Sequence, residues 1–135
     1  MATALACLDM QYRPEAGADD AIMIDTGSGA GARVVTVSGE VDVYSGSRLR
    51  GALGELIDES DARPVVVDLT AVTLLSSTGC AVLVDALGQA QRRHLPFALV
   101  VDPTTRAVPL TLHAAGLVGL FTTYADVDEA RRAAG

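Results

Sequence analysis

An α/β domain, with helices packed on a small sheet, is predicted by three features of the 135-residue chain. Val65-Val66-Val67 and Phe97-Ala98-Leu99-Val100-Val101 are continuous apolar runs with no helical period, the pattern of strands buried on both faces. Leu49, Leu53, Leu56 and Ile57, and then Cys80, Leu83, Val84 and Leu87, recur at the three- and four-residue spacing of an amphipathic helix. Strand-type and helix-type segments alternate along the chain, which stacks helices on a sheet. Hydrophobic residues make up 50% of the chain and aromatics 4%, so the core must be built from Val, Leu, Ile and Ala.

Residues 1–20 show no sustained period and end in the breaker-rich acidic run Pro14-Glu15-Ala16-Gly17-Ala18-Asp19-Asp20, which predicts a flexible N-terminal extension ahead of a domain over 21–135. Ala21 to Asp25 forms a short first strand. Gly27 to Gly31 turns the chain into Val34-Val35-Thr36-Val37-Ser38, whose alternation completes a hairpin. Gly39 to Ser45 leads into the first helix, with Ser45 or Ser47 as its cap. Arg63-Pro64 restarts the chain as the central strand. The second helix runs from about Thr78 to Arg93, burying Leu83 and turning Gln89 to solvent, with Arg92 and Arg93 suiting the negative helix end. His94 and Pro96 break it before the strand at Phe97. Asp102-Pro103-Thr104 turns toward a third helix around Leu110 to Ala115, stopped by Gly116, and Pro109 leaves its start open. Leu117, Leu120 and Phe121 are core candidates, and a last short helix covers Val127 to Ala133.

Between the central strand and the second helix stand three consecutive hydroxyls, Ser76, Ser77 and Thr78, followed by Gly79. Ser76 or Ser77 is a natural N-cap, placing a surface hydroxyl on a helix end that tolerates negative charge. Leu74-Leu75, then Ser77-Thr78-Gly79, with Asp68-Leu69 ahead of them, resembles the signature of STAS domains, the family of anti-sigma factor antagonists, and on that pattern Asp68-Leu69 closes the central strand. Gly39-Glu40-Val41-Asp42, Gly116-Leu117 and Phe121 are similar to flanking motifs of that family. Ser76 stands where the family usually carries Asp. The resemblance implies a mixed sheet of about four strands covered by helices. It also implies a binding module, switched by phosphorylation, that captures an anti-sigma factor with serine kinase activity and frees a sigma factor, with a serine phosphatase as a further partner. Ser77 takes the place of the phosphorylated serine, ahead of Thr78 and Ser76, and Asp42, Tyr44, Ser76, Ser77, Thr78 and Gly79 are the partner-binding candidates. The alternative is a soluble STAS adaptor of a stress-signalling or lipid-transport complex not controlled by phosphorylation.

A formal net charge of −7 argues against a general nucleic-acid or anionic-membrane surface, both of which favour clustered cations. No apolar run approaches the roughly 18 residues of a membrane span, and no basic residue precedes Arg13 to begin a signal peptide. Both observations point to the cytoplasm. Cys7 and Cys80 lack a disulfide pattern, and with His94 and His113 they give no metal spacing, so no cofactor is expected. Cys80 lies on the apolar stripe and reads as core. A hydrolase is disfavoured, because Ser77 lacks the Gly-x-Ser-x-Gly elbow, and Gly27 to Gly31 precedes a strand and lacks the Lys-Ser/Thr ending of a phosphate loop.

Overall fold

The computed structural model describes residues 22–28, 31–59 and 63–134. The expected N-terminal extension lies outside them. In chain order the elements are β1 (Ile22–Ser28), β2 (Arg33–Val41), α1 (Val43–Asp58), β3 (Val65–Leu75), α2 (Ser77–Arg92), β4 (Phe97–Val100), α3 (Ala107–Ala114), β5 (Thr122–Tyr124) and α4 (Val127–Ala134). The strands form one sheet in the order β1-β2-β3-β4-β5. β1 pairs antiparallel with β2, and every later pair is parallel, so the sheet is mixed as expected. The three-residue strand β5 is the addition to the expected set. Its sequence Thr122-Thr123-Tyr124 is too short to carry a period and is stabilised by pairing with β4.

Period-two alternation distributes the strand side chains to both faces. Val35, Val37, Val65, Val67, Leu69, Phe97 and Leu99 join Leu49, Leu53, Leu56 and Ile57 of α1, Leu83 and Leu87 of α2, and Val108 and Leu112 of α3 in one core. Val34, Val66 and Val100 face the other way and pack with Ala130 of α4, with Val127 and Tyr124 partly buried beside them. A sheet covered on both faces is why Val65 to Val67 of β3, and β4, read as unbroken apolar runs.

Four expectations are corrected. β3 does not close at Asp68-Leu69 but continues to Leu75, because β2 also runs on and pairs with it to Val41↔Leu75 across two register shifts. Asp68 marks the irregularity: its carboxylate accepts from Thr70 N–H at 3.0 Å and Thr70 Oγ1 at 2.8 Å. α1 begins before Ser45 and Ser47, with Asp42 as its N-cap. Gln89 is half-buried and not a free surface side chain; its Nε2 donates to Asp58 Oδ1 at 3.0 Å, so it bridges α2 to α1. Of the late core candidates, Phe121 is buried and Leu117 partly so, but Leu120 is exposed, lying in the turn between α3 and β5.

The helix stops follow local chemistry. Pro109 is the third residue of α3, where no intrahelical partner for a backbone N–H exists, so its missing donor costs nothing. α3 ends with Gly116 at φ 75°, and Gly116 N–H and Leu117 N–H return to the carbonyls of His113 and Leu112, closing the helix end. α2 ends in the same way with His94 at φ 59°, its N–H donating to Gln91 O and that of Leu95 to Ala90 O. His94 and His113 are both exposed. His94 is thus a helix-end residue.

Candidate functional site

Because α1 and α2 each follow a parallel strand, their N-termini emerge at the same edge of the sheet, after Val41 and Leu75. Ser76 N–H donates to Val41 O at 2.9 Å, which ties the two exits together. At the first exit, the Asp42 carboxylate accepts from the N–H groups of Tyr44 and Ser45, both at 2.9 Å. Ser45 Oγ accepts from Asp42 N–H at 2.9 Å and donates to Glu40 O at 2.8 Å. The Ser45 N–H bond is the main cause that holds the Asp42 carboxyl below its ordinary value; its partial burial opposes this, and the Ser45 hydroxyl and Tyr44 N–H reinforce it. Asp42 is therefore an ionised helix cap with its side chain committed to the backbone.

At the second exit, Ser76 is the N-cap, with Oγ accepting from Gly79 N–H at 3.2 Å. Ser77 is the first helical residue and is exposed, so its hydroxyl is not used for capping. Thr78 is half-buried, its methyl turned toward Gly46 of α1. Gly79 is buried, and a Cβ there would lie 2.6 Å from Leu75 Cδ1 and 2.9 Å from Val41 Cγ1. Gly79 therefore serves the site by letting α2 start tightly over the ends of β2 and β3, not by presenting a surface. Cys80 is buried and burial pushes its thiol up, as suits a core residue.

The six candidate residues thus fall on two abutting helix starts, and two more belong beside them. Val43, next to Tyr44 in the first turn of α1, is 63% exposed beside Tyr44 at 73%, and Leu74 at the end of β3 is 47% exposed. Position gives the signal for Val43, which directly follows the capping residue where a first-turn side chain points outward. Leu74 was hidden, because an apolar pair at a strand end reads as core, and only Leu75 of the two is buried. Ser45 does cap, but reciprocally: its hydroxyl accepts from the Asp42 N–H as the third residue of a helix that Asp42 begins. The site presents apolar and aromatic surface beside a free hydroxyl at a helix N-terminus. Among the described residues no group of three or more His, Cys, Asp or Glu is placed to hold a metal ion. Nor is any helix among them long and apolar enough to cross a membrane.

A family model described as the STAS domain matches residues 22–130. The chain is 26% identical over 113 residues to the anti-sigma-F factor antagonist RsfB of Mycobacterium tuberculosis, an alignment covering 84% of this chain and 89% of that protein. An anti-sigma factor antagonist from Mycobacterium paratuberculosis matches in structure with a TM-score of 0.76 at 30% identity, over 85% of this chain and 95% of that one. The Bacillus cell fate determinant SpoIIAA in its phosphorylated form shares the fold, with a TM-score of 0.62 at 11% identity over 82% of this chain and 99% of that one.

Proposed function

The chain belongs to the STAS domain family, and we propose that it is an anti-sigma factor antagonist that binds an anti-sigma factor with serine kinase activity, frees a sigma factor, and is switched off by phosphate on Ser77. The antagonist role is supported by the similarity to RsfB and to the Mycobacterium paratuberculosis antagonist. The single observation that carries the switch is the division of labour at α2: Ser76 caps the helix and leaves the Ser77 hydroxyl exposed at its first position.

The physics of the switch follows from that placement. A phosphate adds about −1.5 to −2 charges, and the positive end of the α2 dipole accepts them with little effect on the fold. Ser76 caps without charge, and no acidic residue stands in the first turn of α2 to oppose that helix end. The same dianion is costly in an interface. A partner that covers Val43, Tyr44 and Ser77 must strip its water, and the nearby Asp42 is already ionised; a loss of about 3 kcal/mol weakens binding roughly a hundredfold. Removal of the phosphate by a serine phosphatase restores the binding surface. The chain acts in this scheme as a ligand of the kinase, with no catalysis of its own.

The test uses the purified chain and a preformed complex of anti-sigma factor and sigma factor. Unmodified chain releases the sigma factor; chain incubated with the anti-sigma factor and ATP gains the mass of one phosphate, mapped to Ser77, and releases no more. Failure to displace the sigma factor overturns the antagonist reading. Displacement without any phosphate at Ser77 overturns the switch and leaves an unswitched adaptor.

A further inference from the structure

Tyr44 and Ser77 stand on different helices, and the spacing between them is set where the first turns of α1 and α2 meet. Gly46, buried on α1, lies at that point: a Cβ added to it would come 3.0 Å from Thr78 Cγ2 and 3.9 Å from Val82 Cγ2. Carbon atoms in contact ordinarily keep about 3.5–4.0 Å, so even one methyl group at position 46 must push the two helix starts apart or rotate Thr78. Thr78 is β-branched and stiff at its first side-chain torsion, which makes rotation the harder route. The strand ends below give little, because Ser76 N–H is held by Val41 O at 2.9 Å and Gly79 is packed on Leu75 and Val41.

We propose that Gly46 is a positioning residue, whose bare Cα sets the distance between Tyr44 and Ser77 so that one partner surface engages both at once. The proposal rests on the reading of these two residues as one binding surface. Glycine is a poor helix former compared with alanine, so Gly46→Ala favours α1 locally. A loss of binding without a loss of melting temperature is therefore a positioning effect.

The experiment is calorimetric titration of four full-length chains against the anti-sigma factor: unaltered, Gly46→Ala, Thr78→Ser and the double variant. Thr78→Ser deletes the methyl group that the new Cβ meets and keeps the hydroxyl. Gly46→Ala should weaken binding about tenfold in the unaltered background and less than about twofold in the Thr78→Ser background, with the melting temperature of Gly46→Ala no lower than that of the unaltered chain; a lower melting temperature that Thr78→Ser restores would make the loss a folding effect and overturn the proposal. Equal losses in both backgrounds, or no loss in either, overturn the proposal. The backbone amide resonances of Tyr44 and Ser77 give a readout without partner: Gly46→Ala should move both, and should not do so in the Thr78→Ser background. If the unaltered chain fails to bind the anti-sigma factor, the partner reading falls, and the amide shifts still decide whether Gly46 sets the spacing.

Discussion

Adjacent serines with one bond between them make Ser76 and Ser77 separable by stability alone. Ser76→Ala leaves the Gly79 N–H without its acceptor and should cost about 0.5–2 kcal/mol, whereas Ser77→Ala, at an exposed site, should stay within about 0.5 kcal/mol. Urea denaturation of the two variants checks this, and comparable losses would contradict the capping assignment. Asp42 supplies the pH dependence of the site. Its carboxyl is held below its ordinary value chiefly by Ser45 N–H, so its stabilisation is present above the unfolded value of about 3.9 and is lost as pH falls through the lower folded value. Asp42→Ala should therefore cost about 0.5–2 kcal/mol at neutral pH, and the difference from the unaltered chain should shrink as the pH is lowered below about 4. A difference that stayed constant down to pH 2 would show that charge plays no part. Asp102 is shifted the same way by the hydroxyl and N–H of Thr104, in an exposed turn.

Helix interiors were the legible elements. Leu49, Leu53, Leu56 and Ile57 all proved buried, because a long amphipathic stripe has one way to face a core. Leu83 is wholly buried, and Leu83→Ala should cost about 2–5 kcal/mol. The exposed Gln91 makes the matching control, with Gln91→Ala within about 0.5 kcal/mol. Gln89→Ala should fall between them, since it loses the bond to Asp58. A smaller loss for Leu83→Ala than for Gln89→Ala in denaturant titrations would contradict the packing of α2. Element ends were less legible, for a physical reason: Asp68, Asp42 and Gln89 are polar residues whose partners are set by tertiary pairing, not by local period. β3 runs past Asp68 only because β2 lies alongside as far as Val41.

Across the whole molecule, alternating elements were enough to predict an α/β domain with helices on a small sheet, the mixed strand order came from the resemblance to STAS domains, and the apolar runs in β3 and β4 signalled buried strands. Which helix covers which face was not legible, since α4 is short and buries Ala130 against Val34, Val66 and Val100. The site was legible as a motif; its geometry was not. The sequence placed three hydroxyls before a helix without showing which one caps it, and nothing in it brought Gly46 of α1 to Thr78 of α2. The fold supports its function by delivering two helix starts to one edge, with exposed Tyr44 on one and exposed Ser77 on the other. The most direct test of that account is calorimetric titration of Ser77→Ala and Ser77→Asp against the anti-sigma factor. Ser77→Ala should bind as tightly as the unphosphorylated chain and Ser77→Asp far more weakly, approaching the roughly hundredfold loss expected of the phosphate; equal affinities for the two folded variants would contradict it.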